Sequence, residues 1–411
     1  MPNPATYRVP GAVLTEREHI VPLNHPAPDG RTITVFTREV AHPDGLDRPY
    51  LVFLQGGPGF EATRPTRPPS GWIKRAIEEY RVLLVDQRGT GRSTPVGPAI
   101  PGSTPADQAA YLTHFRADSI VHDCEAIRRE LGIDRWTILG QSFGGFTSLT
   151  YLSFAPEGLA GALLTGGLSP VGRAVDDVYA ATYHRAQEAN ARYFARYPDD
   201  RARVREIHRR LEAEDLRAPS GDRLTVRMFR QLGIWLGDSA GFEKLHNVLE
   251  LPPDSPAFLH DAFDPMSFAR NPIYATLHES SYADGVPTRW SSDRLLPDAF
   301  KGSELFTAEH VFPWMFEDYG SLRFHSGAAE LLAQHPWPKL YDAEVLARNE
   351  VPVAATIYID DVYVERTFAM ETAALVRGLR PWITNEYAHN GLRADGERVV
   401  GRLIDMVKGR A

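Results

Sequence analysis

The chain has 411 residues, 43% of them apolar and 24% charged. Those are globular values on a length that exceeds a usual single domain, so a folded core carrying a substantial insertion is expected. A formal charge of −8 with no basic stripe argues against a nucleic-acid partner, and the single cysteine, Cys124, excludes an intramolecular disulfide and a cysteine-rich metal site.

Residues 1–18 have neither a cationic start nor an apolar block, and no apolar run is long enough to span a bilayer. Neither secretion nor a membrane is therefore expected, and the location read by default is cytoplasmic. The first strand-like segment is 32–40. Residues 51–54 read as a buried strand running into Gln55-Gly56-Gly57-Pro58-Gly59, where glycine density lets backbone N–H groups come close to a ligand. A second apolar strand, 82–85, runs into the loop Asp86-Gln87-Arg88-Gly89-Thr90-Gly91-Arg92-Ser93. Over 117–131, Ile120, Cys124, Ile127 and Leu131 recur at helical spacing, which makes the thiol a core group rather than a reactive one. Strands at 136–139 and 162–164 continue the alternation with helices, and that alternation specifies a mostly parallel sheet covered on both faces.

The sharpest signal is Gly140-Gln141-Ser142-Phe143-Gly144, set between the strand 136–139 and a helix beginning near Phe146. This is a nucleophile elbow, in which a strained turn holds the serine hydroxyl clear of the sheet and a side chain at either flanking glycine would collide with the neighbouring strand or helix. Acyl-transfer enzymes of this architecture take one oxyanion donor from the glycine loop after an earlier strand and the other from the residue following the nucleophile. Here those are the amides of Gly57 and Phe143. The other triad members follow in the order acid, then histidine. Residues 351–359 have the β-branched, apolar character of a central parallel strand and run into Asp360-Asp361, one of which should orient the histidine. A further strand, 381–387, ends at Ala388-His389-Asn390-Gly391-Leu392, and of the 14 histidines only His389 follows the acid. It would act as general base toward Ser142 and then as general acid toward the leaving amine. The chemistry needs no cofactor and no metal.

From about 172 to 340 the strand pattern breaks, and arginine-rich amphipathic stretches such as 189–217 alternate with Pro/Trp/Tyr-rich loops. This predicts a helical cap, residues 172–345, inserted between two parts of one α/β-hydrolase core, 1–171 and 346–411. The run 201–210 mixes five arginines with acids and reads as a solvated helix face. The triad sets the reaction type; a lid of this size sets the substrate.

The Gly-Gly-Pro-Gly segment at 56–59, the loop 86–93 and the Gly-Gln-Ser-Phe-Gly-Gly elbow at 140–145 together resemble the proline iminopeptidases (prolyl aminopeptidases), serine peptidases of the α/β-hydrolase superfamily. The resemblance is strong over 51–168, good from 351 to the end, and patchy between. Gln55 stands where that family usually carries a histidine before the two glycines. The resemblance implies a serine exopeptidase that releases N-terminal proline from small peptides with a free N-terminus. Similar enzymes place the acid nine positions after the proline that begins its strand, which from Pro352 gives Asp361, with Asp360 as the alternate. In the cap, the Glu279 to Tyr282 spacing is similar to a segment whose glutamate binds the substrate's α-amine, and 306–314, with Glu309, resembles a second landmark. The resemblance thus implies Glu279 first and Glu309 second as the amine-binding carboxylate, with Tyr282, Trp290 and Trp314 as aromatic walls for the proline ring. Two rivals stand beside this reading. One is a carboxylester hydrolase with the same triad; the other is a non-catalytic binding module, disfavoured because the whole catalytic set is present. Epoxide and haloalkane hydrolases carry an aspartate where Ser142 stands.

Overall fold

Tyr50-Leu51-Val52-Phe53-Leu54 and Val353-Ala354-Ala355-Thr356-Ile357-Tyr358 are runs that cannot present a polar face, and such runs form strands buried on both sides. A computed structural model, which describes residues 4–411, places them in one sheet. The strands are β1 (Ala5–Val9), β2 (Ala12–Pro22), β3 (Thr32–Ala41), β4 (Tyr50–Leu54), β5 (Arg81–Val85), β6 (Trp136–Gln141), β7 (Leu159–Thr165), β8 (Val353–Tyr358) and β9 (Leu379–Thr384). Their spatial order is β1-β2-β3-β5-β4-β6-β7-β8-β9. From β5 to β9 all neighbours run parallel, while β1, β2 and β3 add an antiparallel edge.

The expected strands are present with bounds shifted by a few residues, and the chain adds β1 and β2, which the sequence reading passed over. The β1 residues alternate between exposed and half-buried and carry no apolar run to announce a strand. They are held by pairing with β2, Ala5 opposite Glu16 through Val9 opposite Ala12.

Helices cover both faces. Ala117–Glu130 and Phe143–Phe154 bury apolar side chains against one face, and Gly396–Val407 packs with Trp72, Ile73 and Tyr80 against the other. Cys124 lies buried in the first of these, where desolvation pushes its thiol pKa far up, so it stays a protonated packing group. Gly144 and Gly140 are required by the close approach of the elbow to its neighbours. A Cβ on Gly144 would sit 1.9 Å from the Leu54 carbonyl oxygen, and one on Gly140 would sit 2.3 Å from the Gly144 carbonyl oxygen.

The register aligns the carboxyl ends of the strands: Leu54 lies opposite Gly140, Gln141 opposite Thr165, Thr165 opposite Thr356 and Tyr358 opposite Thr384. In open parallel sheets this edge is where ligands bind. The long segment between β7 and β8 is helical and rises over the same edge. Its two longest helices, Val175–Arg196 and Asp200–Ala213, are separated at Tyr197-Pro198, where the proline ring disfavours a helical conformation at the residue before it. The arginines of the second helix pair with nearby acids, Arg205 with Glu304, Arg209 with Glu206 and Arg210 with Glu214, as a solvated face should. No described helix is long and apolar enough to cross a membrane.

Candidate active site

β6 ends in Gln141, and the chain turns at once into the helix Phe143–Phe154, leaving Ser142 with φ 54 and ψ −122. A non-glycine residue there is strained, and the strain persists because β6, the helix and the β4 loop fix both sides of it. The turn directs Ser142 into a cavity of about 490 Å³. Gly57 lines the same cavity from the loop after β4, and Phe143 begins the helix, where a first-turn N–H has no intrahelical partner. The Gln55 carbonyl accepts a hydrogen bond from the Gln87 side-chain amide at 3.1 Å, which ties the glycine loop after β4 to the loop after β5.

Beyond β8, Asp361 and Asp360 have different surroundings. The Asp361 side chain is 2% exposed and its Oδ2 lies 2.6 Å from His389 Nδ1. Its Oδ1 accepts the Tyr363 and Val364 backbone N–H groups at 2.8 and 3.0 Å, so the carboxylate cannot rotate away. The Asp360 side chain is 42% exposed and pairs with Arg192. His389, from the loop after β9, is buried with the Tyr363 ring edge-on to it, and it lines the cavity with Ser142. Burial is the largest influence on its imidazole and favours the neutral form. The Asp361 charge and hydrogen bond, with a further contribution from Glu309, outweigh it and hold the pKa above the ordinary histidine value.

The residues read as substrate contacts are not gathered as expected. Glu309 lines the cavity, and the buried Tyr274 hydroxyl donates to its Oε1 at 2.7 Å. Glu279 does not line it. That carboxyl is buried in a separate void of about 20 Å³, shared with Trp290, where its Oε1 accepts the Ser292 N–H at 2.9 Å. Burial raises the Glu279 pKa against the hydrogen bonds from Ser292 and Thr288. Trp290 donates to Glu330 at 2.8 Å. Tyr282 is buried against Phe146 and Tyr179, and Trp314 stacks between Phe312 and Tyr319. None of these three aromatics reaches the cavity lining. The aromatic groups that do are Phe60, Phe268, Tyr274 and Tyr363. Of these only Tyr274 lies in a segment the sequence reading singled out, and nothing in the local pattern distinguishes it from Tyr282. The described residues contain no group of His, Cys, Asp and Glu arranged to hold a metal ion.

A serine on a strained strand-to-helix turn, an acid and a histidine at the ends of later parallel strands, and a glycine loop facing them define an α/β hydrolase. Residues 49–298 match the family model described as the alpha/beta hydrolase fold. Within that superfamily the chain belongs to the proline iminopeptidases: it is 46% identical to the proline iminopeptidase of Aeromonas sobria over 98% of this chain and 99% of the relative. A proline iminopeptidase of Aspergillus aculeatus is 34% identical over 95% of this chain and 92% of its own length. The proline iminopeptidase of Neisseria meningitidis is 33% identical over 32% of this chain and 36% of its own length.

Proposed function

We propose that the protein is a serine exopeptidase that releases N-terminal proline from small peptides through an acyl-enzyme on Ser142. The Ser142 hydroxyl attacks the carbonyl carbon of the first residue while His389 takes its proton, with Asp361 holding the imidazole in the needed tautomer. The Gly57 and Phe143 amides receive the oxyanion. His389 then returns the proton to the leaving amine, the C–N bond breaks, and a prolyl ester remains on Ser142. Water, deprotonated by the same imidazole, hydrolyses that ester and frees proline.

Exopeptidase action needs a group that answers a charged amine, and we assign it to Glu309. The observation that carries the reading is that this carboxylate lines the same cavity as Ser142 and His389 and is oriented there by Tyr274. The full-length likeness to proline iminopeptidases supports the choice of residue released. Phe268, Tyr274 and Tyr363 would pack the pyrrolidine ring. Glu279, walled off beside Trp290, is left as a buried structural acid. We take residues 172–345 as the specificity cap and 1–171 with 346–411 as the hydrolase core. Neither nucleic acid nor a membrane enters the reaction, and the location we assign is the cytoplasm.

The test compares prolyl, alanyl and N-acetyl-prolyl arylamides with a short acyl ester. Turnover of the free-amine prolyl substrate with little of the acetylated one supports the reading. Ester turnover alone would assign a carboxylester hydrolase.

A further inference from the structure

Once Ser142, His389 and Glu309 are placed, the orientation of a bound peptide follows. Its ammonium faces Glu309, its scissile carbonyl lies at Ser142, and its leaving amine must lie beside His389, which protonates it. What stands on the His389 side therefore meets the second residue of the substrate. Arg393 stands there. It lies four residues after His389, lines the same cavity, and is close enough for its charge to oppose protonation of His389.

The base of this arginine is fixed. Gly237 O accepts the His389 N–H at 3.0 Å, Ser239 Oγ donates to Asn390 Oδ1 at 2.7 Å, and Asn390 Nδ2 donates to Asp238 at 3.1 Å. The Arg393 N–H in turn donates to the Asn390 carbonyl at 2.8 Å. Its guanidinium, by contrast, is exposed, and among the described residues no carboxylate pairs with it. The cavity's other arginine, Arg270, is occupied by Glu61. Asp264, also on the lining, is exposed and makes no ion pair with Arg393, and it is not among the charges that influence His389. The site thus carries an acid where the acyl residue sits and an uncommitted guanidinium where the leaving group sits, the complement of a short zwitterion.

We propose that Arg393 is a specificity residue that receives the α-carboxylate of the residue following proline, so that the preferred substrates are prolyl dipeptides with a free C-terminus. A guanidinium binds carboxylate through two parallel N–H···O bonds, and a carboxamide in its place gives up the charge and one acceptor. The proposal rests on the prolyl exopeptidase reading and deepens it.

The test measures kcat/KM for prolyl-glycine and prolyl-glycinamide with the wild-type enzyme and with Arg393→Gln, with prolyl arylamide run on the wild type as a reference. Because each enzyme is read as a ratio of two substrates cleaved at the same bond, any effect of the guanidinium on the basicity of His389 cancels. The wild type should favour the free carboxylate by roughly tenfold or more, and Arg393→Gln should bring the ratio close to unity. A wild-type enzyme indifferent to amidation, or a preference that survives in Arg393→Gln, overturns the proposal while prolyl arylamide turnover leaves the underlying activity standing. If the wild type cleaves none of the three substrates, it is the prolyl exopeptidase reading that fails.

Discussion

The sheet edge and the helical insert contribute to one cavity by different physical means. At the sheet edge the functional groups are fixed by backbone directly or at one remove: Ser142 by a turn that a strand and a helix hold from both sides, Asp361 by two backbone N–H groups, and His389 by the carboxylate so held and by its own N–H to the Gly237 carbonyl. In the insert, Glu309 and Tyr274 are 35 residues apart and meet only through tertiary packing. Chemistry that must be positioned closely sits where covalent order and strand register decide it. On the proposed assignment of Glu309, specificity sits where packing decides it and can change without disturbing the reaction.

Substitutions at the two regions should accordingly fail in different ways. The largest effect belongs to the sheet edge. Ser142→Ala should lower kcat for prolyl arylamide by at least about a thousandfold with the thermal midpoint little changed, and Asp361→Asn should cost far more than Asp360→Asn. Steady-state kinetics on the purified variants checks both, and equal losses at the two aspartates would contradict the assignment.

In the insert, Glu309→Gln leaves a bound ammonium without its counter-charge, a loss of about 2–5 kcal/mol, so kcat/KM should fall roughly thirtyfold or more. Glu279→Gln keeps the acceptor used by Ser292 and should change kcat/KM by no more than about twofold. The reverse ranking would place the amine at Glu279. A third prediction concerns stability rather than rate. Gly144→Ala drives a methyl into the Leu54 carbonyl and should lower unfolding free energy in urea by about 1–3 kcal/mol or more, whereas Gly97→Ala, with nothing within 4 Å of the added carbon, should be near neutral.

The smallest effect lies in the pH profile, where the two regions touch. His389 works as a base only when neutral, so kcat/KM should fall as the pH drops through its raised pKa. Glu309 is one of the charges that favour the imidazolium, so Glu309→Gln should move that acid limb to lower pH. An unmoved limb would mean that Glu309 does not sense His389.

How far the sequence could be read follows the same division. The core strands and the elbow were legible because a buried parallel strand is an apolar run ending in a turn residue, and Ser142, Asp361 and His389 follow one another in the order their fold imposes. The hairpin of β1 and β2 was not, since β1 owes its conformation to pairing rather than to an apolar pattern and the apolar ends of β2 are interrupted by the polar run Thr15-Glu16-Arg17-Glu18. In the insert, Glu279 was ranked before Glu309, and packing puts Glu309 on the cavity lining and Glu279 in a separate void. Tyr274 lies on the helix Pro272–Leu277 and faces the cavity, whereas Glu279 lies past its end in a 3-10 turn and packs away from the cavity toward Trp290. No local signal distinguishes those two faces, because both are lined with aromatic groups.

The central claim is that the sheet edge supplies the reaction and Glu309 supplies the amine specificity. The most direct measurement pairs two readings on Glu309→Gln above neutral pH: the rate at which a small neutral fluorophosphonate labels Ser142, and kcat/KM for prolyl arylamide. Labelling within about threefold of wild type alongside a loss of roughly thirtyfold or more in peptidase activity is the predicted result. Labelling and turnover that fall together, or turnover that does not fall at all, would contradict it.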